Sequence, residues 1–301
     1  MYDLDMKSLR LFTAVCDYGN LKQAALAEHI EPSAISKRLT QLEDQLGTRI
    51  LVRGRKRAVP TPAGQVLLQH ARSVLFSVER LGADLASFRG GIKGLVRLAA
   101  SPSAIAESLL DDLASFMTHP EHEGIQITIE ERVSRDLVGL VRDRIVSLGI
   151  CWGNADFGEL DHRPYRQDEL SLAVPVGHPL ADQEAVHFEE TLGYDHIGLH
   201  NATAVASMLS REAAKVGKLV NYRVIVSNFD AAYRVVAAGL GISVIPREVQ
   251  HIHSSANKVR IVRLLNPWVR RQFAICFRDE SELSPAARRL LEFLVRPAQA
   301  G

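Results

Sequence analysis

Apolar residues at helical spacing organise the first fifty positions. Between Leu4 and Cys16, Leu9, Phe12 and Cys16 recur at steps of three and four with Leu11 and Val15 flanking, which predicts one amphipathic helix. Asp17-Tyr18-Gly19 ends it. Asn20 reads as the N-cap of a short second helix, Leu21 to His29, with Gln23 three positions on as its capping-box partner. Ala24-Ala25 in that helix allow close packing. Pro32 suits the first turn of a third helix, whose inward face is Ile35, Leu39, Leu42 and Leu46 and which Gly47 stops.

A different period governs the next stretch. Thr61-Pro62 reads as N-cap and first-turn proline of a helix of some 28 residues, about 42 Å long, interrupted only by the lone Gly82 before Arg89-Gly90-Gly91. Its apolar positions Leu67, Ala71, Val74, Val78, Leu81, Leu85 and Phe88 are spaced alternately by four and three, a heptad seam. Such a seam predicts a coiled-coil homodimer; packing on its own globular domain would call for a wider stripe.

From residue 92 onward, short β-branched runs alternate with helical ones. Strands are expected at Leu95 to Ala100, Ile125 to Glu130, Leu148 to Trp152, Leu170 to Val176, His196 to Leu199, Arg223 to Val226, Ile242 to Ile245 and Phe273 to Phe277. Helices fit Ile105 to Met117, Ser134 to Arg144, Ala204 to Val216, Phe229 to Ala238 and Pro285 to Val295. Alternation of this kind predicts an α/β fold of parallel sheets in two small lobes, with ligand groups at the strands' carboxyl ends. The candidates are Ser101, Pro102 and Ser103, which follow the first strand and open a helix; Trp152 and Asn154 near the crossover between lobes; His200, Asn201 and Thr203 before a helix; and Ser227 and Asn228. Helix capping explains each of these equally well when taken singly.

Charge adds a direction to this picture. The chain of 301 residues carries +1 overall, but residues 1 to 90 hold 13 Lys and Arg against 9 Asp and Glu, and the remainder 23 against 26. The front end is therefore the candidate partner of a polyanion. Arg49 to Arg57 has five basic residues in nine, no acid and a central Gly54, the form of a β-hairpin wing lying over phosphates through Arg53, Arg55, Lys56 and Arg57. On the third helix Ser33, Ser36, Lys37 and Thr40 form a polar face able to reach base edges and phosphates, with Arg38 alongside. A solvated helix face has the same composition.

The run from Leu9 to Gly64, LRLFTAVCDYGNLKQAALAEHIEPSAISKRLTQLEDQLGTRILVRGRKRAVPTPAG, resembles the winged helix-turn-helix of the LysR-type transcriptional regulators without a gap. Segments 173–180 and 235–246 resemble the effector-binding domain of the same family, so the likeness covers nearly the whole chain. It implies an all-α winged helix-turn-helix at 1–60, a dimerising linker helix at 61–90, and a two-lobed α/β, periplasmic-binding-protein-like effector domain at 91–301, the lobes being about 95–165 with 271–301, and 166–270. It also implies that Leu21 to Thr40 meets double-stranded DNA at a quasi-palindromic promoter site, with Pro32, Ser33, Ser36 and Lys37 at the contact. The loop holding Ser101 would touch a small-molecule effector. Homodimers, commonly assembled to homotetramers, and RNA polymerase for an activator are the implied protein partners. The chain departs from the family at Glu31, where a Ser or Thr cap is usual, at Pro32 for Gln, and at Pro60 for Leu before Thr61-Pro62-Ala63-Gly64. In the family's Leu-x-x-Gly-x-x-Asp-type segment it carries Arg144 and Ser147, which implies a loop of different shape.

Other classes find little support. No apolar run approaches the eighteen residues of a membrane span, and Met1 to Asp5 shows no secretory pattern, so a cytoplasmic protein is expected. Cys16, Cys151 and Cys276 are widely separated and never in a Cys-x-x-Cys pair, which argues against disulfides and zinc. A thiol-based redox sensor using Cys151 stays open as an alternative. His251-x-His253, and His119 with His122, lack a third ligand at helpful spacing, so no metal or cofactor is expected. Neither a Gly-x-Ser-x-Gly, a P-loop nor a dinucleotide fingerprint occurs, so the expectation is not an enzyme. A secreted solute-binding protein would leave the basic wing unexplained.

Overall fold

The computed structural model describes residues 4–53, 57–87, 92–200, 203–249 and 258–296. Contacts group the chain into two units, Met1–Leu85 with Asp143–Ile145, and Ala86–Arg142 with Val146–Gly301.

In the first unit, α1 (Met6–Tyr18), α2 (Leu21–Ala27) and α3 (Pro32–Leu46) enclose a small core, followed by the strands β1 (Leu51–Arg53) and β2 (Ala58–Pro60) and the long helix α4 (Pro62–Ser87). Leu11, Phe12, Val15, Ala24, Ala25, Ile35, Leu39 and Leu42 are buried together, as the helical spacing requires. Burying one such Leu or Ile contributes about 1.5–3 kcal/mol. Capping departs from expectation at the start of α2. Asn20 Oδ1 accepts the amide of Lys22 at 2.8 Å, not that of Gln23. Glu31, at the N-cap of α3, makes no side-chain cap, and the start is set by Pro32. Gly47 ends α3 in the left-handed region at φ 65°, where the absence of Cβ removes the penalty. β1 and β2 pair antiparallel with Leu51 opposite Pro60 and Val52 opposite Val59, the expected hairpin. Thr61 Oγ1 accepts the amide of Gly64 at 3.0 Å and so caps α4.

Along α4 the heptad seam divides. Leu67 packs on the core of the three short helices and Ala71 is buried. These two positions thus have packing neighbours within the chain. Val74, Val78, Leu81 and Leu85 are between 43% and 58% exposed, far more than apolar side chains in a helix core. Phe88 lies outside the described residues.

The second unit is built on one mixed sheet of eight strands. Its order is β4 (Ile125–Glu131), β3 (Gly94–Ala100), β5 (Leu148–Trp152), β12 (Arg270–Phe277), β6 (Asp161–Pro175), β11 (Val259–Leu264), β7 (Ala185–Val186), with β10 (Ser243–Pro246) also pairing with β6. β3 is parallel to β4 and β5, as expected, but β12 runs antiparallel to β5 and β6, so the sheet is not purely parallel. β8 (His196–Leu199) and β9 (Tyr222–Val226) form a separate parallel pair. The helices are α5 (Pro102–Ala104), leading through a π turn at Ile105–Leu109 into α6 (Leu110–Met117), then α7 (Ser134–Arg142), α8 (Phe188–Thr191), α9 (Ala204–Lys215), α10 (Phe229–Ala237) and α11 (Pro285–Val295).

Two hydrophobic cores result, one around Val96, Phe116, Ile150, Phe273 and Leu290, the other around Leu172, Phe188, Val236 and Ile245. β6 serves both. Its first half, Asp161 to Glu169, pairs with β12, and its second half with β10 and β11. That first half is polar and carries Pro164, which is why the apolar pattern placed the strand start at Leu170 instead. β7, α8 and β11 were likewise not expected, the last because arginines alternate with its buried valines and leucine. At the loop where the family pattern has Gly, Arg144 holds the left-handed conformation at φ 57°, one that favours glycine.

Candidate DNA-binding face and effector pocket

On α3 the side opposite Ile35, Leu39 and Leu42 is polar. Ser33, Lys37 and Thr40 are exposed and Ser36 is half-buried. Glu31 makes no side-chain cap, Pro32 has no amide proton, and the amides of Ala34 and Ile35 donate to the Glu31 carbonyl at 3.0 and 3.2 Å, so the Ser33 amide is the first-turn donor that suits a phosphate oxygen. Thr40 Oγ1 donates back to the Ser36 carbonyl at 3.0 Å. Gln23 is exposed on α2, and Arg57 is exposed beside the turn at Gly19, whose carbonyl accepts the amide of Ala58 at 2.8 Å. That bond ties the wing to the helix-turn-helix. Arg38 is placed differently from the others: its Nη1 donates to Asp5 Oδ1 at 3.2 Å and to Ser8 Oγ at 3.4 Å. Hydrogen bonds from Ser8, with the charge of Arg38 adding to them, hold the Asp5 carboxyl below its ordinary pKa. Arg38 thus braces the start of α1 in this structure. Arg55 and Lys56, like the side chain of Arg53, lie outside the described residues.

In the second unit, one pocket gathers residues from both cores. Its walls are Ser101, Pro102 and Ser103 at the start of α5, Val133 and Ser134 at the start of α7, Trp152 at the end of β5, Leu199, Thr203 and Ala204 at the start of α9, and Arg271 and Phe273 of β12. The cavity they leave has a volume of about 10 Å³. A volume of that size holds about one water. The pocket is nearly closed, so a larger guest requires its walls to part.

Three helix starts converge here, and the local sequence explains each. Ser101 Oγ accepts the amide of Ala104 at 3.3 Å and Thr203 Oγ1 that of Ala206 at 3.2 Å, so both are N-caps that keep a hydroxyl proton to donate. Ser134 Oγ is buried and has no hydrogen-bond partner among the described residues. Arg271 Nη1 donates to Ser103 Oγ at 3.3 Å, while its Nε and Nη2 engage Asp168. Burial pushes the Asp168 carboxyl above its ordinary pKa and the Arg271 guanidinium opposes that shift. Among the described residues no carboxylate lines the pocket, which presents hydroxyl and guanidinium donors.

The sequence-predicted residues therefore divide. Ser101, Pro102, Ser103, Trp152 and Thr203 meet in the pocket. Asn154 and His200 are exposed in turns outside its walls, Ser227 is exposed at the end of β9, and Asn228 Oδ1 is engaged by the amide of Ala231 at 2.9 Å as the cap of α10. These four lie outside the walls of this pocket: lying at a strand's carboxyl end brings a residue near a sheet rim but does not aim it. Asn201 lies outside the described residues. Sequence reasoning missed Arg271, because β12 was expected to begin at Phe273, and missed Ser134 although it opens a helix that was expected.

Cys151 and Cys276 are both fully buried on neighbouring strands. A hydrogen bond from Cys151, together with burial, pushes the Cys276 thiol well above its ordinary range. Burial pushes Cys16 up to about 12. Cys16 and Cys276 are thus held as protonated, weakly nucleophilic thiols, and Cys151 has no surface through which an oxidant could reach it, the opposite of the exposed thiolate a redox sensor needs.

Known proteins share this pattern across both units. Residues 6–65 match the family described as "Bacterial regulatory helix-turn-helix protein, lysR family", and residues 89–299 match "LysR substrate binding domain". Over 291 residues the chain is 24% identical to the uncharacterised HTH-type transcriptional regulator YbhD of Escherichia coli K12, covering 97% of this chain and 91% of that one. The fold is similar to full-length CbnR complexed with its target DNA, at a TM-score of 0.67 and 21% identity over 97% of this chain and 99% of that one. It is also similar to the effector-binding domain of QuiR in complex with shikimate, at a TM-score of 0.59 and 18% identity over 67% and 96%. Among the described residues no helix is long and apolar enough to cross a membrane.

Proposed function

The chain belongs to the LysR family of helix-turn-helix transcriptional regulators, and we propose that it grips a quasi-palindromic promoter site through the polar face of α3 while a small molecule held by Ser101, Ser103, Ser134, Thr203 and Arg271 sets its response. As a LysR-type regulator it joins a DNA-binding helix-turn-helix to a substrate-binding domain. The observation that carries the reading on α3 is the exposure of Ser33, Lys37 and Thr40 on the side opposite a fully buried Ile35-Leu39-Leu42 stripe, beside a basic hairpin.

In this proposal residues 1–60 read DNA, 61–90 join two copies, and 91–301 sense the effector. Two chains present two recognition helices to two half-sites, and pairs of dimers give the tetramer. An effector rich in hydrogen-bond acceptors fits walls that offer donors and no carboxylate; shikimate in the QuiR effector domain is one such precedent on a similar fold. Its entry parts the walls and re-spaces the paired heads. The protein acts in the cytoplasm, has regulation and not catalysis as its task, and as an activator would touch RNA polymerase.

The test is binding to fluorescent fragments of the chain's own promoter region across a salt series. Lys37→Ala should weaken binding and reduce the salt slope by about 1. Failure of the wild-type protein to retard any such fragment at low salt refutes the DNA-binding reading. For the pocket, a metabolite library is screened by thermal shift with wild type and Ser101→Ala; a compound that shifts both equally does not bind at this pocket.

A further inference from the structure

We propose that the turn following α6 is a binding site for a divalent transition cation, with His119, Glu121 and His122 as ligands and zinc as the cation its donors fit best. One ligand atom from each of these residues lies within 4.8 Å of the others. Ligands at zinc distances of about 2.0–2.2 Å in tetrahedral array stand roughly 3.3–3.6 Å apart, so the donors must close by about 1 Å. His119 and Glu121 are exposed at the surface and have the freedom to do so.

His122 supplies the fixed point. Its ring is buried, stacks on Phe116 at 3.8 Å between centroids with the planes 15° apart, and meets Phe293 edge-on. Nδ1 lies 2.7 Å from the Phe116 carbonyl and donates to it. That bond keeps the proton on Nδ1 and leaves the Nε2 lone pair for a ligand, the same orientation that a carbonyl imposes on metal-bound histidines. His119 stands 5.2 Å from His122, ring to ring. Pro120 between them fixes the backbone entering the turn Pro120–His122, a single 3-10 turn.

Two imidazoles and one carboxylate suit zinc, whose borderline character accepts nitrogen and oxygen, and three protein ligands leave a fourth position to water. Magnesium and calcium, which prefer all-oxygen shells, fit poorly. The third ligand that the sequence spacing withheld is Glu121: at an offset of one from His122 it would diverge on a strand, and the tight turn after Pro120 brings it back. The helix that ends at this turn begins, through the π turn and α5, at the Ser101 to Ser103 wall of the pocket. A cation here holds the end of α6, which a kink at Glu107 separates from the pocket-forming α5.

The full chain, free of affinity tag and stripped of metal, is titrated with Co²⁺, whose visible bands report low-symmetry coordination, and with Zn²⁺ by calorimetry. Binding of one cation per chain, weakened on the order of tenfold or more by His119→Ala and by Glu121→Gln, supports the site. A variant carrying His251→Ala and His253→Ala should bind as wild type does. The assignment is overturned if no cation binds, if binding persists unchanged in the His119→Ala/Glu121→Gln double variant, or if it vanishes in the His251→Ala/His253→Ala variant. His119 and Glu121 are surface residues, so unchanged circular dichroism and DNA binding will separate lost ligands from lost fold.

Discussion

Arg271 holds Asp168 in an ion pair sealed from water: the two side chains are 1% and 0% exposed, and the arginine Nε donates to Oδ1 at 2.8 Å. A pair of this kind contributes little against an apolar substitute, but removing one partner leaves a buried charge uncompensated. Asp168→Asn should therefore destabilise the α/β unit by about 3–5 kcal/mol. Trp152 and Trp268 both lie in that unit and are the chain's two tryptophans, so urea unfolding followed by their fluorescence reads the loss directly. A change below about 1 kcal/mol would show that the pair is not carrying charge.

His196 is buried beneath α8, with Nε2 3.1 Å from the Thr191 carbonyl, and burial holds its pKa below the ordinary value for histidine. The unfolded chain then binds a proton, at about pH 6.5, before the folded one does. Stability is full above that pH and falls as pH drops toward the folded-state value. His178, lowered for the same reason, acts in the same direction. His196→Gln should flatten the decline of unfolding free energy between about pH 7 and pH 5; an equally steep decline in the variant would mean other groups dominate.

At Gly64 a Cβ would stand 2.0 Å from the Ile50 carbonyl oxygen, a backbone atom that cannot swing aside. Gly64→Ala should destabilise the first unit by about 1–3 kcal/mol or more, with a matching loss of DNA affinity. Gly82, with nothing near its missing Cβ and a place inside an exposed helix, is the control. Gly82→Ala should stabilise by up to about 1 kcal/mol, both changes being read from thermal melts followed by circular dichroism.

Leu81 is 56% exposed on α4, between Val78 and Leu85 on the same stripe. Leu81→Asp should leave the folded single chain nearly undisturbed yet separate dimers, halving the mass found by light scattering at micromolar concentration. An unchanged mass would sink the coiled-coil argument.

The sequence by itself determined what local periodicity encodes. Steps of three and four placed α1 to α3 and made Ile35, Leu39 and Leu42 their inner face; the acid-free run from Arg49 to Arg57 announced a hairpin; the heptad spacing marked α4; and Ser101 and Thr203 were legible because an N-cap is a matter of three or four residues. Tertiary structure decided whatever depends on partners distant in the chain. Arg271 and Asp168 lie 103 residues apart and meet only because β12 pairs antiparallel with the polar half of β6, which no apolar pattern could reveal. Ala71 and Val78 occupy equivalent heptad positions, yet only the folded chain shows that the first is buried and the second left bare. Likewise His119 and His122 were visible as a pair, and the carboxylate of Glu121 joined them through the tight turn alone. Periodicity states which face of an element is apolar; which neighbour covers that face is settled by long-range packing, where many weak contacts outweigh any local preference.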